Sequence, residues 1–416
     1  MHVVETTFWF CLAAVAYNYA GYPILLFCLS TMIQAKADFL YLINRRSRRC
    51  LPRATYLPRV ALIISAYNEA AVIRDKVDNS LQLEYPEGQL EIWFGLDAPS
   101  DATAEVLKQG SIGRIHVVEF ANRRGKLAVL GDLAKRTTAE ILIFTDANTM
   151  LDRSCVRNLV RHFVDSKVGA VSGEEIRTPV STNDGSGESI YWRYESAIKI
   201  LESRLNCSQG ANGAALAIRR RLFNPKPGSI VEDFQIPLAL RFQGYRVIYD
   251  PEAIATEELA PTLTAQFARR VRIGAGNYQT LFGNLGYLNP FNGFLTFAFI
   301  SHRLLRWLAP FMLVTAFLCS IALTAQMRLT LLVALQFAFY LAGLLGYVLK
   351  KKSGRSLPLL SAPLHFCSMN LALFLGFCAY VSGRQGAIWA STPRGVSVED
   401  DRLLQIEGTS EARQAA

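Results

Sequence analysis

Four apolar runs, at about residues 8–33, 304–325, 329–349 and 357–381, constrain this chain more than any other feature. A helix that crosses a bilayer needs roughly 20 consecutive apolar residues. Buried core helices are the competing explanation, but the last three runs follow one another almost back to back. The first run has no basic residue before it and continues too long for a signal peptide, so it reads as an anchor. Composition agrees: 51% of residues are hydrophobic and 19% charged, and the mean hydropathy is +0.20. Between residues 40 and 300 the chain becomes an ordinary mixture of charged, polar and apolar residues, long enough for one domain. The expected layout is therefore an anchor (1–39), a globular domain (40–281), an interfacial helical region (282–303), a membrane cluster of about three spans (304–396) and a disordered polar tail (397–416).

Basic residues near spans set orientation. Arg45, Arg46, Arg48, Arg49, Arg53 and Arg59 follow the first run, and Lys350, Lys351, Lys352 and Arg355 follow the third. Both groups are expected on the cytoplasmic side. The formal charge of +10 then reflects topology and attraction to anionic membrane lipid. Nucleic acid is not an expected partner, because the arginines sit beside a span without interleaved aromatic residues. The eight cysteines form no C-x-x-C pair and the five histidines are scattered, which speaks against a zinc site or a disulfide framework.

The globular part alternates strand and helix patterns. "RVALIISAY", "LEIWFGLD", "RIHVVEF", "EILIFTD" and "VGAVSG" read as strands, with helical spacing between them. This predicts an α/β domain with a mostly parallel sheet. Ligands bind such sheets outside the carboxyl ends of the strands. Tyr67, Asn68 and Glu69 follow the first strand, Asp97 ends the second and Asp146 ends the fourth. Each position also suits a helix cap, and capping and ligand binding can coexist. A G-x-G-x-x-G fingerprint is missing after the first strand, and "FANRRGKL" supplies only Gly125-Lys126 of a P-loop, so both nucleotide motifs are rejected.

Eight motifs in order resemble the membrane-bound family-two glycosyltransferases with the GT-A fold. That group includes synthases of chitin-like oligomers, hyaluronan, cellulose and poly-N-acetylglucosamine. The motifs are "SAYNEA" (65–70), "GLDAPSDAT" (95–103), "NRRGK" (122–126), "TDANT" (145–149), "GANGA" (210–214), "VEDF" (231–234), "QFARRVR" (266–272) and "WASTPR" (389–394). The resemblance implies a Rossmann-like GT-A domain and an inverting glycosyltransferase at the cytoplasmic face of the inner (plasma) membrane. It implies a UDP-sugar donor and a polysaccharide or lipid-linked acceptor, with other components of a polysaccharide export complex as candidate partners. Tyr67, Glu69 and Asp97 would line the uridine pocket, and Lys126 would meet phosphate or uracil; a solvated helix lysine is the plainer reading. The family's D-x-D pair maps to Asp146 and Asn148, which would hold Mg2+ or Mn2+. Gln266 and Arg269, with Arg270 beside them, would hold the pyrophosphate. Asp233 matches the catalytic base, next to Glu232, and Gly210, Ala211, Asn212 and Gly213 match an acceptor-side loop. The plainer alternatives are a cap on the helix after Val231 and a simple turn.

Two departures stand out. Asn148 leaves the D-x-D site one charge short. Arg270 stands where processive synthases carry Trp in Q-x-x-R-W, which opens the alternative of a single transfer to a lipid-linked acceptor. Three late crossings would also place Trp389 and Arg394 on the far side from the site that the resemblance assigns them, so the sequence leaves the last crossing open.

Overall fold

The computed structural model describes residues 2–44, 56–110, 114–178, 186–258, 262–323, 327–353 and 357–384. Trp389, Arg394, the arginines at 45–53, Arg355 and the tail after 396 lie outside the described residues.

The elements run as α1 (His2–Ala16) and α2 (Tyr22–Asn44), then β1 (Val60–Ala66), α3 (Ile73–Leu81), β2 (Leu90–Asp97), α4 (Thr103–Gly110) and β3 (Ile115–Phe120). Next come α5 (Lys126–Arg136), β4 (Ile141–Asp146), β5 (Thr149–Leu151), α6 (Cys155–Val160), β6 (Val168–Thr178) and α7 (Ser186–Arg204). The chain continues through β7 (Leu216–Arg219), α8 (Glu232–Phe242), β8 (Arg246–Glu258) and α9 (Leu263–Gly283). It closes with α10 (Phe294–Ala298), α11 (Leu305–Ala322), α12 (Met327–Ser353) and α13 (Pro358–Val381).

The strands form one sheet in the order β3-β2-β1-β4-β7-β6-β8-β5. The first four are parallel, and β7 enters antiparallel to both β4 and β6. The five anticipated strands are present, and the sheet is the expected mixed, mostly parallel one. Its central strands are apolar throughout because both faces are covered. On β1, Val60, Leu62 and Ile64 enter one core while Ala61 and Ile63 enter the other, as the two-residue period of a strand requires. Ser65 of β1 pairs with Asp146 of β4, and Ala66 with Leu96 of β2, so the carboxyl ends of three strands finish level.

Four helices among the described residues are long and apolar enough to cross a membrane: His2–Ile43, Phe294–Ala322, Thr330–Ser353 and Pro358–Val381. In the stretch expected as an interfacial helical region, two short turns, Leu285–Leu288 and Pro290–Asn292, follow α9. From Phe294 the chain belongs to the helix that reaches Ala322. A π-helical turn, Phe299–Leu304, carries the helix through this point without a break, so the polar residues at 301–303 do not end it.

A second π-helical turn, Tyr17–Gly21, interrupts the first long helix, and the two turns face each other. Asn18 is fully buried, and its Nδ2 donates to the Ser301 carbonyl at 2.6 Å and the His302 carbonyl at 3.2 Å. Wide π turns leave backbone groups in need of partners and cluster at functional places. Here one turn supplies a side-chain donor to the other. His302 Nδ1 meets Glu202 of α7 at 2.7 Å, and Tyr22 donates to the same Glu202 oxygen at 3.0 Å. Arg306 pairs with Glu195 of α7. The apolar helices are thus joined to the α/β domain through buried polar contacts to α7.

The sheet leaves no room at Gly173, where an added Cβ would lie 2.3 Å from the Ala253 carbonyl oxygen. Backbone cannot yield as a side chain can. Gly173→Ala should destabilise the domain by about 1–3 kcal/mol, read as a lower melting temperature of the detergent-solubilised protein.

Candidate active site

Lys126 opens α5 directly after Gly125, whose φ of +86° only glycine holds without strain. Asp97, at the end of β2, fixes this loop. Its two carboxylate oxygens accept from the backbone N–H groups of Arg124 at 2.7 Å and Gly125 at 2.9 Å. The result aims Lys126 across the strand ends. Its ammonium lies 2.7 Å from Asp146 and 3.0 Å from Glu232. Burial alone would depress its pKa; Asp146 and Glu232 more than reverse that and hold it well above its ordinary value. Lys126 is therefore no solvated helix lysine.

Glu232 and Asp233 begin α8, yet neither acts as its N-cap, which is Val231 and has no side-chain bond. Instead Asp233 meets the "GANGA" loop. Gly213 N–H donates to Asp233 Oδ2 at 3.2 Å, and Ala211 N–H donates to the Asp233 carbonyl at 3.1 Å. A Cβ on Gly213 would lie 3.1 Å from that carboxylate oxygen, so the loop approaches as closely as it does because no side chain intervenes. Gly210 packs beside Phe234. Asn212 ties the loop to the sheet through Ser172 and the Gly173 carbonyl. Burial and the adjacent Glu232 carboxylate push Asp233 up to about 6, against the pull of Lys126. A small cavity here is lined by Lys126, Phe144, Gly213, Leu216, Glu232 and Asp233.

Asn148 sits two residues beyond Asp146, and its amide nitrogen is engaged by a neighbouring strand. Its Nδ2 donates to Glu257 Oε1 of β8 at 3.0 Å. Glu257 in turn receives Arg269 of α9 at 2.8 and 3.3 Å. Burial opposes ionisation of Glu257, and Arg269 outweighs it, holding the carboxyl well below the usual range. Arg272, one helical turn on, faces Glu232, Asp233 and Asp146 electrostatically. Arg270 points about a quarter-turn away, and its Nη1 donates to Ser368 of α13 at 3.5 Å. Gln266 lies on the first turn of α9, one turn before Arg269.

At the first strand end, Arg123 covers the Tyr67 ring at 3.7 Å. Asn68, with φ of +54°, is held by Ser100. Glu69 N–H donates to Thr103 Oγ1 at 2.8 Å. At the start of α4, the Asp101 carboxylate accepts the Thr103 N–H at 3.0 Å.

Sequence reasoning missed Lys76, Glu257 and Arg272. Lys76 is fully buried beneath the 145–149 turn, where its ammonium donates to Thr145 Oγ1 and the Thr149 carbonyl. Burial lowers it to about 7, against the attraction of Asp146. The available signal was its place on the buried face of α3, between Ile73 and Ser80. Arg272 was visible as the i+3 neighbour of Arg269. Glu257 carried no local signal.

A divalent cation fits this donor set in one way. Among the described residues no group of three or more His, Cys, Asp or Glu side chains surrounds a metal position. Magnesium is commonly held by one or two carboxylates together with substrate phosphates. Asp146, with the Asn148 amide oxygen, suits a cation that arrives on such phosphates.

Residues 61–224 match the family model described as Glycosyl transferase family 2. A poly-beta-1,6-N-acetyl-D-glucosamine synthase of Staphylococcus aureus (strain COL) is 26% identical over 238 residues, covering 54% of this chain and 56% of the relative. The synthase of the same description from Staphylococcus epidermidis is 25% identical over 231 residues, covering 53% and 55%. The chain spans about half the length of these curated relatives. A mannosyltransferase from Pyrobaculum calidifontis, solved in complex with GDP-Man and Mn2+, superposes with a TM-score of 0.66 at 21% identity, over 91% of this chain and 100% of that one. The α/β domain therefore has the GT-A fold, joined to long apolar helices. Within it, the chain carries a family 2 glycosyltransferase domain.

The Asn148 geometry makes a prediction against the D-x-D pattern. Asn148→Asp would replace a donor to Glu257 with a second carboxylate, costing about 1–3 kcal/mol. In metal-free buffer its melting temperature should fall by several degrees, and saturating Mn2+ should recover it. An unchanged melting temperature without metal would remove Glu257 from this role.

Proposed function

We propose that the protein transfers a sugar from a UDP-sugar to a growing polysaccharide, working as a multi-pass protein of the inner (plasma) membrane with its catalytic domain in the cytoplasm. The observation that carries this reading is Asp233. It is a carboxylate with a raised pKa, braced by the acceptor-side loop and set beside Lys126 and the end of β4. Poly-beta-1,6-N-acetyl-D-glucosamine synthases are among its relatives, which supports a glycan product for cell-surface or exopolysaccharide synthesis.

In this mechanism Tyr67, Glu69 and Asp97 hold the uridine with the 123–126 loop. Gln266, Arg269 and Arg272 meet the pyrophosphate, and Arg forks suit its paired oxygens. Asp146 and Asn148 would hold a divalent cation, Mg2+ or Mn2+, together with the donor, and it would supply neutralisation of the leaving group's charge. Lys126 would then exchange part of its pairing with Asp146 for the donor phosphate. The acceptor hydroxyl oxygen attacks the anomeric carbon as its proton passes to Asp233. The bond from that carbon to the pyrophosphate breaks, and the nucleoside diphosphate leaves with the electron pair. A single displacement of this kind inverts the anomeric centre. Glu232 keeps Lys126 in place and its charge raises the basicity of Asp233.

A second reading, transfer of one sugar to a lipid-linked acceptor, is favoured by Arg270. It stands in place of the expected Trp and turns toward α13. Product length by mass spectrometry separates the two readings.

Asp233→Asn should lower transfer by about 10²- to 10⁴-fold while binding of the UDP-sugar survives, measured by release of UDP and by donor titration. Because only the deprotonated carboxylate accepts a proton, the wild-type rate should fall as pH drops below about 6. A flat profile from pH 5 to 8, under conditions where chemistry limits the rate, would assign the base elsewhere.

A further inference from the structure

The reaction above gives no part to Lys199 of α7, yet its ammonium is bonded to the loop that braces Asp233. The N–H groups of Ala211 and Gly213 hold Asp233. Asn212, between them, bonds to β6 instead. Its N–H donates to Ser172 Oγ at 2.8 Å, and its Nδ2 donates to the Gly173 carbonyl at 2.9 Å. The remaining group of Asn212, its Oδ1, accepts from Lys199 Nζ. A lysine ammonium donates and never accepts. Lys199 therefore also decides which end of the Asn212 amide faces β6.

Lys199 is itself held in place by the helix that carries it. Glu195, Lys199 and Glu202 stand at i, i+4 and i+7 of α7, so they share one face. Glu195 pairs with Arg306, and Glu202 bonds His302 and Tyr22, all three on the long apolar helices. Beside that face, Ser196 Oγ donates to Glu174 of β6 at 2.7 Å, and Ser203 Oγ accepts the Tyr249 N–H of β8 at 3.0 Å. Glu195, Glu175 and Glu174 attract the Lys199 ammonium, but among the described residues none of them pairs with it, and its hydrogen bond goes to Asn212. We infer that Lys199 is a positioning residue for sugar transfer: it locks the Asn212 amide, and through that residue it keeps the Ala211 and Gly213 N–H groups on Asp233. The base is thereby placed with reference to the apolar helices, through α7. The inference rests on the glycosyltransferase reading and adds to it a residue that acts through the loop rather than on the reacting atoms.

The test uses the full chain in lipid nanodiscs. Lys199→Met keeps most of the side-chain volume and removes the donor. Amide hydrogen exchange at 210–214 should then quicken by about tenfold, the loss of one hydrogen bond to a charged group. Exchange at Arg124 and Gly125, which Asp97 holds, should stay as in wild type. With the donor that a UDP-sugar panel selects, kcat for UDP release should fall about tenfold or more, while donor KM and the affinity for UDP stay within about twofold. Lys199→Arg, which still donates, should recover part of the rate. Asn212→Ala should be slow by itself, and adding Lys199→Met should slow it by no more than about twofold further, because the two residues act as one unit. Melting temperatures check folding, and Lys199→Gln, whose amide is one bond too short, carries the same comparison if Lys199→Met does not fold. Unchanged exchange at 210–214 overturns the inference. So does a raised donor KM at unchanged kcat, and so do losses that multiply in the double variant; each leaves the glycosyltransferase reading standing. If no donor releases UDP, that reading fails, and the exchange comparison still decides whether Lys199 holds the loop.

Discussion

The ammonium of Lys126, held between Asp146 and Glu232, is the contact on which the site depends. Three carboxylates, counting Asp233, converge at the end of a sheet with little water around them. Left to themselves, like charges in such a place repel and take up protons. One cation pairs with two of them, and Asp233 is the carboxyl that burial and Glu232 push up to about 6. The same contact joins β4, α5 and α8, which come from distant parts of the chain. Asp97 contributes from the rear, since it fixes the loop from which Lys126 projects.

The second electrostatic unit runs from Asn148 through Glu257 to Arg269. A neutral residue at 148 first looks like a lost metal ligand. In the folded chain the missing charge is present on a neighbouring strand, where it orients an arginine. Lys76 adds a cation under the same turn. The amide at 148 is thus matched to its surroundings, and a carboxylate there would meet Glu257 head on.

Much of this was legible in the residues. β1, β2 and β4 announced themselves as short apolar runs ended by polar groups, because both faces of the central sheet are covered. The acidic and basic motifs at their ends were found for the same reason. What escaped depended on partners far away in sequence. Glu257 reaches Asn148 because β8 returns antiparallel to β5, a pairing with no local signature. Arg270 was assigned with Arg269, but helical phase turns it toward α13. The bland cap reading of Glu232 and Asp233 failed because their charge is used by Lys126 and by the loop at 210–213. The two π turns had no pattern to reveal them, since hydropathy alone passes through them without a change.

Those π turns alter what the first helix is for. Asn18 supplies donors to the carbonyls at 301 and 302, and Tyr22 shares Glu202 with His302. Removing residues 2–44 would therefore not free a self-sufficient catalytic fragment. It would strip partners from a buried histidine, a buried glutamate and two backbone carbonyls at the seam with α7. A soluble version of this protein would need new side chains at that seam, and the tether and the catalyst are better regarded as one folding unit.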